Sequence, residues 1–158
     1  MSRFYMMIGI PGSGKTYCAN KMLADGDVDI VLSSDEYRSR LFGNEYKPEN
    51  NYEVFNQMNN DTINNLICGR NVCYDATNIK TKDRKRILSK VNKLKNIEKI
   101  AVYFKSDEYS FERCVINNEN RSNVVPKDVL TKMYYNMQQP CFEEGFDCVC
   151  VRMVYSDL

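Results

Sequence analysis

Apolar residues are laid out along this chain in two rhythms. Short unbroken runs predict five strands: Phe4-Tyr5-Met6-Met7-Ile8, Val28-Asp29-Ile30-Val31-Leu32, Val72-Cys73-Tyr74-Asp75, Ile100-Ala101-Val102-Tyr103-Phe104 and Cys148-Val149-Cys150-Val151. Between them, apolar positions recur every three or four residues. Cys18, Met22 and Leu23 mark a helix from Lys15 to about Leu23. Val54, Phe55, Met58, Thr62, Ile63, Leu66 and Ile67 mark one over Tyr52 to Cys68, and Ile87, Leu88, Val91 and Leu94 mark another from a Thr81 cap to about Leu94. Val129, Met133 and Met137 continue a stripe behind Pro126, which suits a first helical position. Shorter helices are expected from Asp35, capped by Ser33, Ser34 or Asp35, and over about Glu108 to Asn118. Strands that alternate with helices predict a parallel sheet covered on both faces. In such sheets, ligands bind at the carboxyl ends of the strands.

The first of those ends carries Gly9-Ile10-Pro11-Gly12-Ser13-Gly14-Lys15-Thr16, which fits G-x-x-x-x-G-K-[ST]. Glycines let the backbone curl so that several N–H groups face one anion, and the following helix adds its positive end. Pro11, Gly12, Ser13, Gly14, Lys15 and Thr16 are thus the candidate cradle for the phosphates of ATP. Lys15 reaches toward the β- and γ-phosphates, and the Thr16 hydroxyl suits Mg²⁺. A strand before and a helix after are the context this motif requires. The expected fold is α/β, of the P-loop NTPase or kinase type, with a five-stranded parallel sheet and a lid near residues 106–125. We expect residues 1–158 to form one domain.

The other strand ends supply candidates for chemistry. Asp35 follows the second strand and has three available roles: Mg²⁺ ligand through water, proton acceptor for an attacking hydroxyl, or helix N-cap. Arg38 lies one turn on, where i and i+3 share a face. A carboxylate beside a guanidinium suits an acceptor that carries a hydroxyl next to an anion, although a surface ion pair has the same spacing. Asp75 closes the third strand, where P-loop proteins place a second acid for Mg²⁺, and Thr77 and Asn78 follow at the same edge. Arg113 and Arg121 flank a polar stretch after the fourth strand and suit a lid that closes over the nucleotide; the alternative is solvated helix-end arginines.

Composition narrows the chemistry. With no histidine, the chain has no histidine-based nucleophile, base or metal site. Seven cysteines, none in a C-x-x-C pair, suggest reduced thiols in an intracellular, cytoplasmic setting rather than disulfides or zinc. No signal peptide or membrane span is visible. The net charge is only +1, so any nucleic-acid footprint must be local. Between Lys80 and Lys99, nine residues are cationic and only Asp83 and Glu98 are acidic. This run is read mainly as a solvated helix face, with a nucleic-acid track as the alternative and Arg84 and Arg86 nearest the site. Tyr46 and Tyr52 are candidates for stacking on bases, or surface filler.

In this order the residues resemble the kinase domain of the phage polynucleotide kinase–phosphatase family, in the P-loop kinase superfamily. The matching pieces are Ile8 to Thr16, Ser34-Asp35-Glu36-Tyr37-Arg38, Asp75-Ala76-Thr77-Asn78 with Arg84 and Arg86, and Arg121 before Val125-Pro126-Lys127-Asp128-Val129-Leu130 with Met133-Tyr134. They span roughly residues 4 to 137. The resemblance implies a nucleic-acid repair activity in which ATP, with Mg²⁺, phosphorylates a 5′-hydroxyl end of DNA or RNA. It implies Asp35 as general base, Arg38 on the phosphate next to the terminal nucleoside, and Arg121 on the ATP phosphates. Thr77, Asn78 and Arg84 join the acceptor side, and Arg113 joins the nucleotide side. The phosphatase half has no counterpart here, so a pure kinase is expected, in a host cytoplasm if phage-encoded. Asn117 stands near where another lid arginine is expected. The competing expectations are a kinase for a small alcohol (nucleoside, sugar or antibiotic) and a nucleotide-dependent switch or ATPase.

Overall fold

The computed structural model describes residues 1–43 and 47–154. Tyr46 lies outside them. Strand β1 (Ser2–Ile8) runs through the middle of a five-stranded sheet, and Phe4, Met6, Met7 and Ile8 are fully buried there. It pairs with β3 (Val72–Asp75) on one side and β4 (Ile97–Lys105) on the other. The edges are β2 (Ile30–Ser33), against β3, and β5 (Cys148–Met153), against β4. All four pairings are parallel, in the order β2-β3-β1-β4-β5. β3 and the second half of β1 are buried on both faces and need no polar alternation, which is why they read as apolar runs in the sequence.

Helices cover both faces. On one, α1 (Lys15–Ala24) packs Cys18, Ala19 and Met22 against Met7, Cys73, Val102 and Phe104. On the other, α2 (Ser34–Phe42), α3 (Asn51–Ile67) and α4 (Thr81–Val91) bring Tyr37, Val54, Met58, Ile87 and Leu88 onto Phe4, Met6, Tyr74 and Ala101. A third cluster, Ile10, Ile79, Cys114 and Leu130, roofs the carboxyl edge with α5 (Glu108–Glu119) and α6 (Lys127–Tyr135). None of the described helices is long and apolar enough to cross a membrane.

Element boundaries move by a few residues from the apolar pattern. β2 starts at Ile30, because Val28 and Asp29 still belong to the turn, donating to Met22 and Asn71 carbonyls. β4 starts three residues early, at Ile97, because β1 extends back to Ser2 and pairs with it. Pro126 stands just before α6, one residue earlier than expected. α4 ends at Val91, and Leu94 folds back by donating to the Val91 carbonyl. Thr81 is the first residue of α4 rather than its cap, which is Lys80.

The Thr81 hydroxyl is occupied elsewhere, as one of the acceptors around Arg84. That guanidinium is fully buried and donates to both Glu144 carboxylate oxygens (2.6 and 3.0 Å), the carbonyls of Asn78 and Gln138 (2.9 Å each) and Thr81 Oγ1 (3.1 Å). Glu144 sits in a short 3-10 turn, Phe142–Glu144, that no sequence pattern announced. The cluster staples α4 to the segment before β5. Removing one partner of a buried pair strands the other charge, at a cost of about 3–5 kcal/mol. Arg84→Met should therefore lower the unfolding free energy by about that much in urea titration, while Arg84→Met/Glu144→Leu should recover most of the loss. A loss below about 1 kcal/mol for the single variant would contradict this role.

Candidate active site

Four strand ends converge on one place because the strands are parallel. β1 delivers the glycine loop, β2 delivers α2, β3 ends on Asp75, and β4 leads into α5. The loop turns on two left-handed glycines, Gly12 (φ 81°) and Gly14 (φ 102°). Gly12 has a second constraint. A Cβ there would overlap the carbonyl oxygen of Cys114 in α5. The loop thus lies flat against α5, and Asn117 fixes that approach by donating from Nδ2 to the Gly12 carbonyl (2.9 Å). The neighbouring Asn118 closes the following loop, donating to the Val125 carbonyl (2.7 Å) and accepting from its N–H (3.1 Å).

Lys15 is buried with Nζ 2.9 Å from the Ile10 carbonyl and 3.5 Å from Ser13 Oγ. Burial pulls its pKa from 10.5 to about 8, against the opposing pull of the Asp75 carboxylate. Arg121 also lowers it. Asp75 is buried too, and burial raises its pKa, while Lys15 and the Thr16 hydroxyl act to lower it. Thr16 Oγ1 donates to Asp75 Oδ2 at 2.8 Å. That leaves the hydroxyl lone pairs available beside a carboxylate. Two hard oxygens fit Mg²⁺, which takes few protein ligands and completes its shell with water and phosphates. Among the described residues no larger cluster of acids and cysteines forms a metal site.

Asp35 stands in the first turn of α2 and is engaged from two sides. Arg38 Nη1 donates to Oδ1 (2.8 Å) and Arg121 Nη2 to Oδ2 (2.9 Å). The Arg121 contact joins residues 86 positions apart, and it carries the polar loop after α5 across to α2. Arg38 also donates to Asn51 Oδ1 (3.2 Å), the first residue of α3. A carboxylate gripped by two guanidiniums, close enough to Lys15 for its charge to be felt, gives a site that can accept a proton and hold anions on either side.

Not every residue singled out in the sequence reaches this place. Arg84 is excluded from the acceptor side, because all its donors are spent inside the protein. Asn78 is likewise structural. It is buried in a left-handed conformation (φ 49°), with Nδ2 on the Met7 and Ala76 carbonyls (2.7 and 3.3 Å). Thr77 does border the loop, its carbonyl accepting the Gly9 N–H at 3.0 Å. Arg113 is on the exposed side of α5 and lines a separate groove of about 760 Å³ with Asp107, Tyr109, Ile116, Met153 and Val154. It is not among the groups whose charge acts on Lys15, which are Asp75, Arg121, Cys114 and Asp35. Asn117 stands in the sequence only as the place of an expected lid arginine, and Asn118 only in a polar stretch; an asparagine carries no charge to announce its hold on a distant carbonyl.

A family described as AAA domain matches residues 4–140, and the chain belongs to that family. No match is found among curated proteins. Among solved structures the chain is similar to a candidate kinase of Chloroflexus aurantiacus (TM-score 0.73, 13% identity, covering 96% of this chain and 88% of that one). It is also similar to a fungal RNA kinase (0.65, 15%, 99% and 77%) and to a gluconokinase of Sinorhizobium meliloti (0.63, 12%, 95% and 81%). The fold is that of the P-loop kinases, and family and fold together imply binding of ATP, usually with Mg²⁺.

The depressed pKa of Lys15 gives a measurable consequence. A phosphate beside Nζ favours the ammonium, so nucleotide binding takes up protons wherever free Lys15 is partly neutral. At pH 8, uptake of about half a proton is expected. Calorimetry in two buffers of different ionisation enthalpy reads this directly. The heat should depend on buffer for the native chain and not for Lys15→Met. A buffer-independent heat at pH 8 for the native chain would contradict the assignment.

Proposed function

We propose that this chain is an ATP-dependent kinase that phosphorylates the 5′-hydroxyl end of a polynucleotide, DNA or RNA. The observation that carries the reading is the two-armed grip on Asp35 by Arg38 and Arg121 beside the phosphate loop. In transfer, Asp35 accepts the proton of the acceptor hydroxyl as its oxygen bonds to the γ-phosphorus. The bond from γ-phosphorus to the β,γ-bridging oxygen breaks, and ADP leaves. Arg38 turns from Asp35 to the acceptor's adjacent phosphate, and Arg121 turns to the γ-phosphate. Lys15 and the loop amides hold the β- and γ-phosphates. Thr16 and Asp75 would hold Mg²⁺, which supplies charge compensation at the phosphates. Thr77 borders the acceptor.

An alcohol flanked by a phosphate needs both a base and a fixed cation, which is what Asp35 and Arg38 offer together. The similarity to an RNA kinase agrees with this acceptor. The similarity to a gluconokinase favours the second reading, a small alcohol, for which Arg38 would have no phosphate to grip.

Asp35→Asn should lower kcat on a 5′-hydroxyl oligonucleotide by about 10²- to 10⁴-fold with ATP affinity kept. Arg38→Ala should chiefly raise KM for that acceptor. Transfer from labelled ATP is followed with the oligonucleotide, a nucleoside and gluconate offered side by side. Full activity of Asp35→Asn would remove the base, and label on the small alcohols alone would favour the second reading.

A further inference from the structure

The outer face of α3 and α4 is built in a way the core does not require. α4 exposes Lys82, Lys85, Arg86 and Lys90, and Lys93 and Lys95 continue the series beyond its end. Among the described residues none of these six is in an ion pair. The segment from Lys80 to Lys99 carries +7 in a chain whose total is +1, and with Arg84 neutralised inside by Glu144 and Lys99 paired with Asp147, about +5 of it is left uncompensated by the rest of the chain. Against these six exposed cations α4 sets a single exposed acid, Asp83, so positive charge dominates the face.

Alongside, α3 sets Tyr52, Asn56, Asn60 and Asn64 four residues apart, on one helical face. Tyr52, Asn60 and Asn64 are exposed, and Asn56 is half-buried. The acids of α3 are already engaged. Glu53 accepts from Gln57, and Asp61 accepts from the Tyr37 hydroxyl. Between the helices runs a shallow groove of about 490 Å³, lined by Asn60, Ile63, Asn64, Lys90, Lys93 and Leu94. Its walls are amides, ammoniums and two aliphatic chains, with no carboxylate. α3 starts at Asn51, the acceptor of Arg38, and its 17 residues span roughly 25 Å from that end.

We propose that this face is a binding surface for the body of a single-stranded nucleic acid, whose 5′ end lies at Asp35 and Arg38. The lysines and Arg86 take the phosphates. The asparagine amides meet sugars and base edges, and Tyr52 offers a stacking plane next to the site. The proposal rests on the polynucleotide reading above and adds where the strand goes. It also separates long acceptors from small ones, which the phosphate loop and Asp35 alone do not.

The test uses the full chain with Lys85→Glu/Lys90→Glu/Lys93→Glu, three exposed positions outside the transfer site. A Lys→Arg triple at the same positions serves as the charge-preserving control. Binding is read by anisotropy of a labelled single-stranded oligonucleotide that already carries a 5′-phosphate, so no transfer is involved. Affinity of the native chain should fall steeply with salt. The glutamate triple should bind more than about ten-fold more weakly, with a log–log salt slope shallower by about 2, and the arginine triple should match the native chain. In the transfer assay, KM for a long oligonucleotide should rise to that for a nucleoside 3′-phosphate, with kcat on the short acceptor unchanged. Equal affinity and equal slope in the glutamate triple would overturn the surface while leaving the kinase reading intact. Charge-dependent binding by a native chain that phosphorylates neither acceptor would uphold the surface and overturn the kinase reading.

Discussion

The closeness of the phosphate loop to α5 is the constraint on which the site depends. Gly12 has no room for a side chain because the Cys114 carbonyl already occupies that space. Asn117, one turn along the same helix, then fastens the Gly12 carbonyl. Since α5 is held to the loop this tightly, the segment that follows it starts from a fixed point. Asn118 closes that segment, and Arg121 emerges facing Asp35 on the far side of the site. A single backbone approach thereby sets the relative positions of the glycine loop, Arg121 and Asp35.

Burial does the rest of the electrostatic work. Lys15 and Asp75 are both withdrawn from water at the edge of the sheet, and each destabilised charge is partly compensated by the other. An anion arriving among the loop amides relieves the lysine, and a cation arriving between Thr16 and Asp75 relieves the carboxylate. The family and fold imply binding of ATP, usually with Mg²⁺, and a positive ion with a polyanion is the form in which nucleoside triphosphates are usually bound.

Much of this was legible in the sequence, for identifiable reasons. Glycine spacing, a charged residue at the end of an apolar strand, and an acid and an arginine three apart on a helix are all local signals. The loop, Asp75, and the pairing of Asp35 with Arg38 could therefore be located from them. Contacts between distant segments left no such mark. Glu144 reads as one acid in an unpatterned stretch, yet it consumes Arg84, a residue whose sequence position beside the site had suggested the acceptor. Asn78 was misplaced for the same reason: its proximity to Asp75 is real, but its amide is committed to the Met7 carbonyl. The basic run from Lys80 to Lys99 reads in the sequence mainly as a solvated helix face with a nucleic-acid track as the alternative, and the amide stripe of α3 comes beside it only in the folded chain.

The central claim, that the acceptor is the 5′ oxygen of a polynucleotide, is tested most directly by mapping where the phosphoryl group lands. The native chain is incubated with ATP, Mg²⁺ and two oligonucleotides of one sequence, one ending in a 5′-hydroxyl and the other in a 5′-phosphate, and the products are mapped by mass spectrometry. The account predicts one added phosphoryl group, at the 5′ oxygen of the first oligonucleotide, and none on the second. Phosphorylation of both, or of neither while ATP is still consumed, would contradict it.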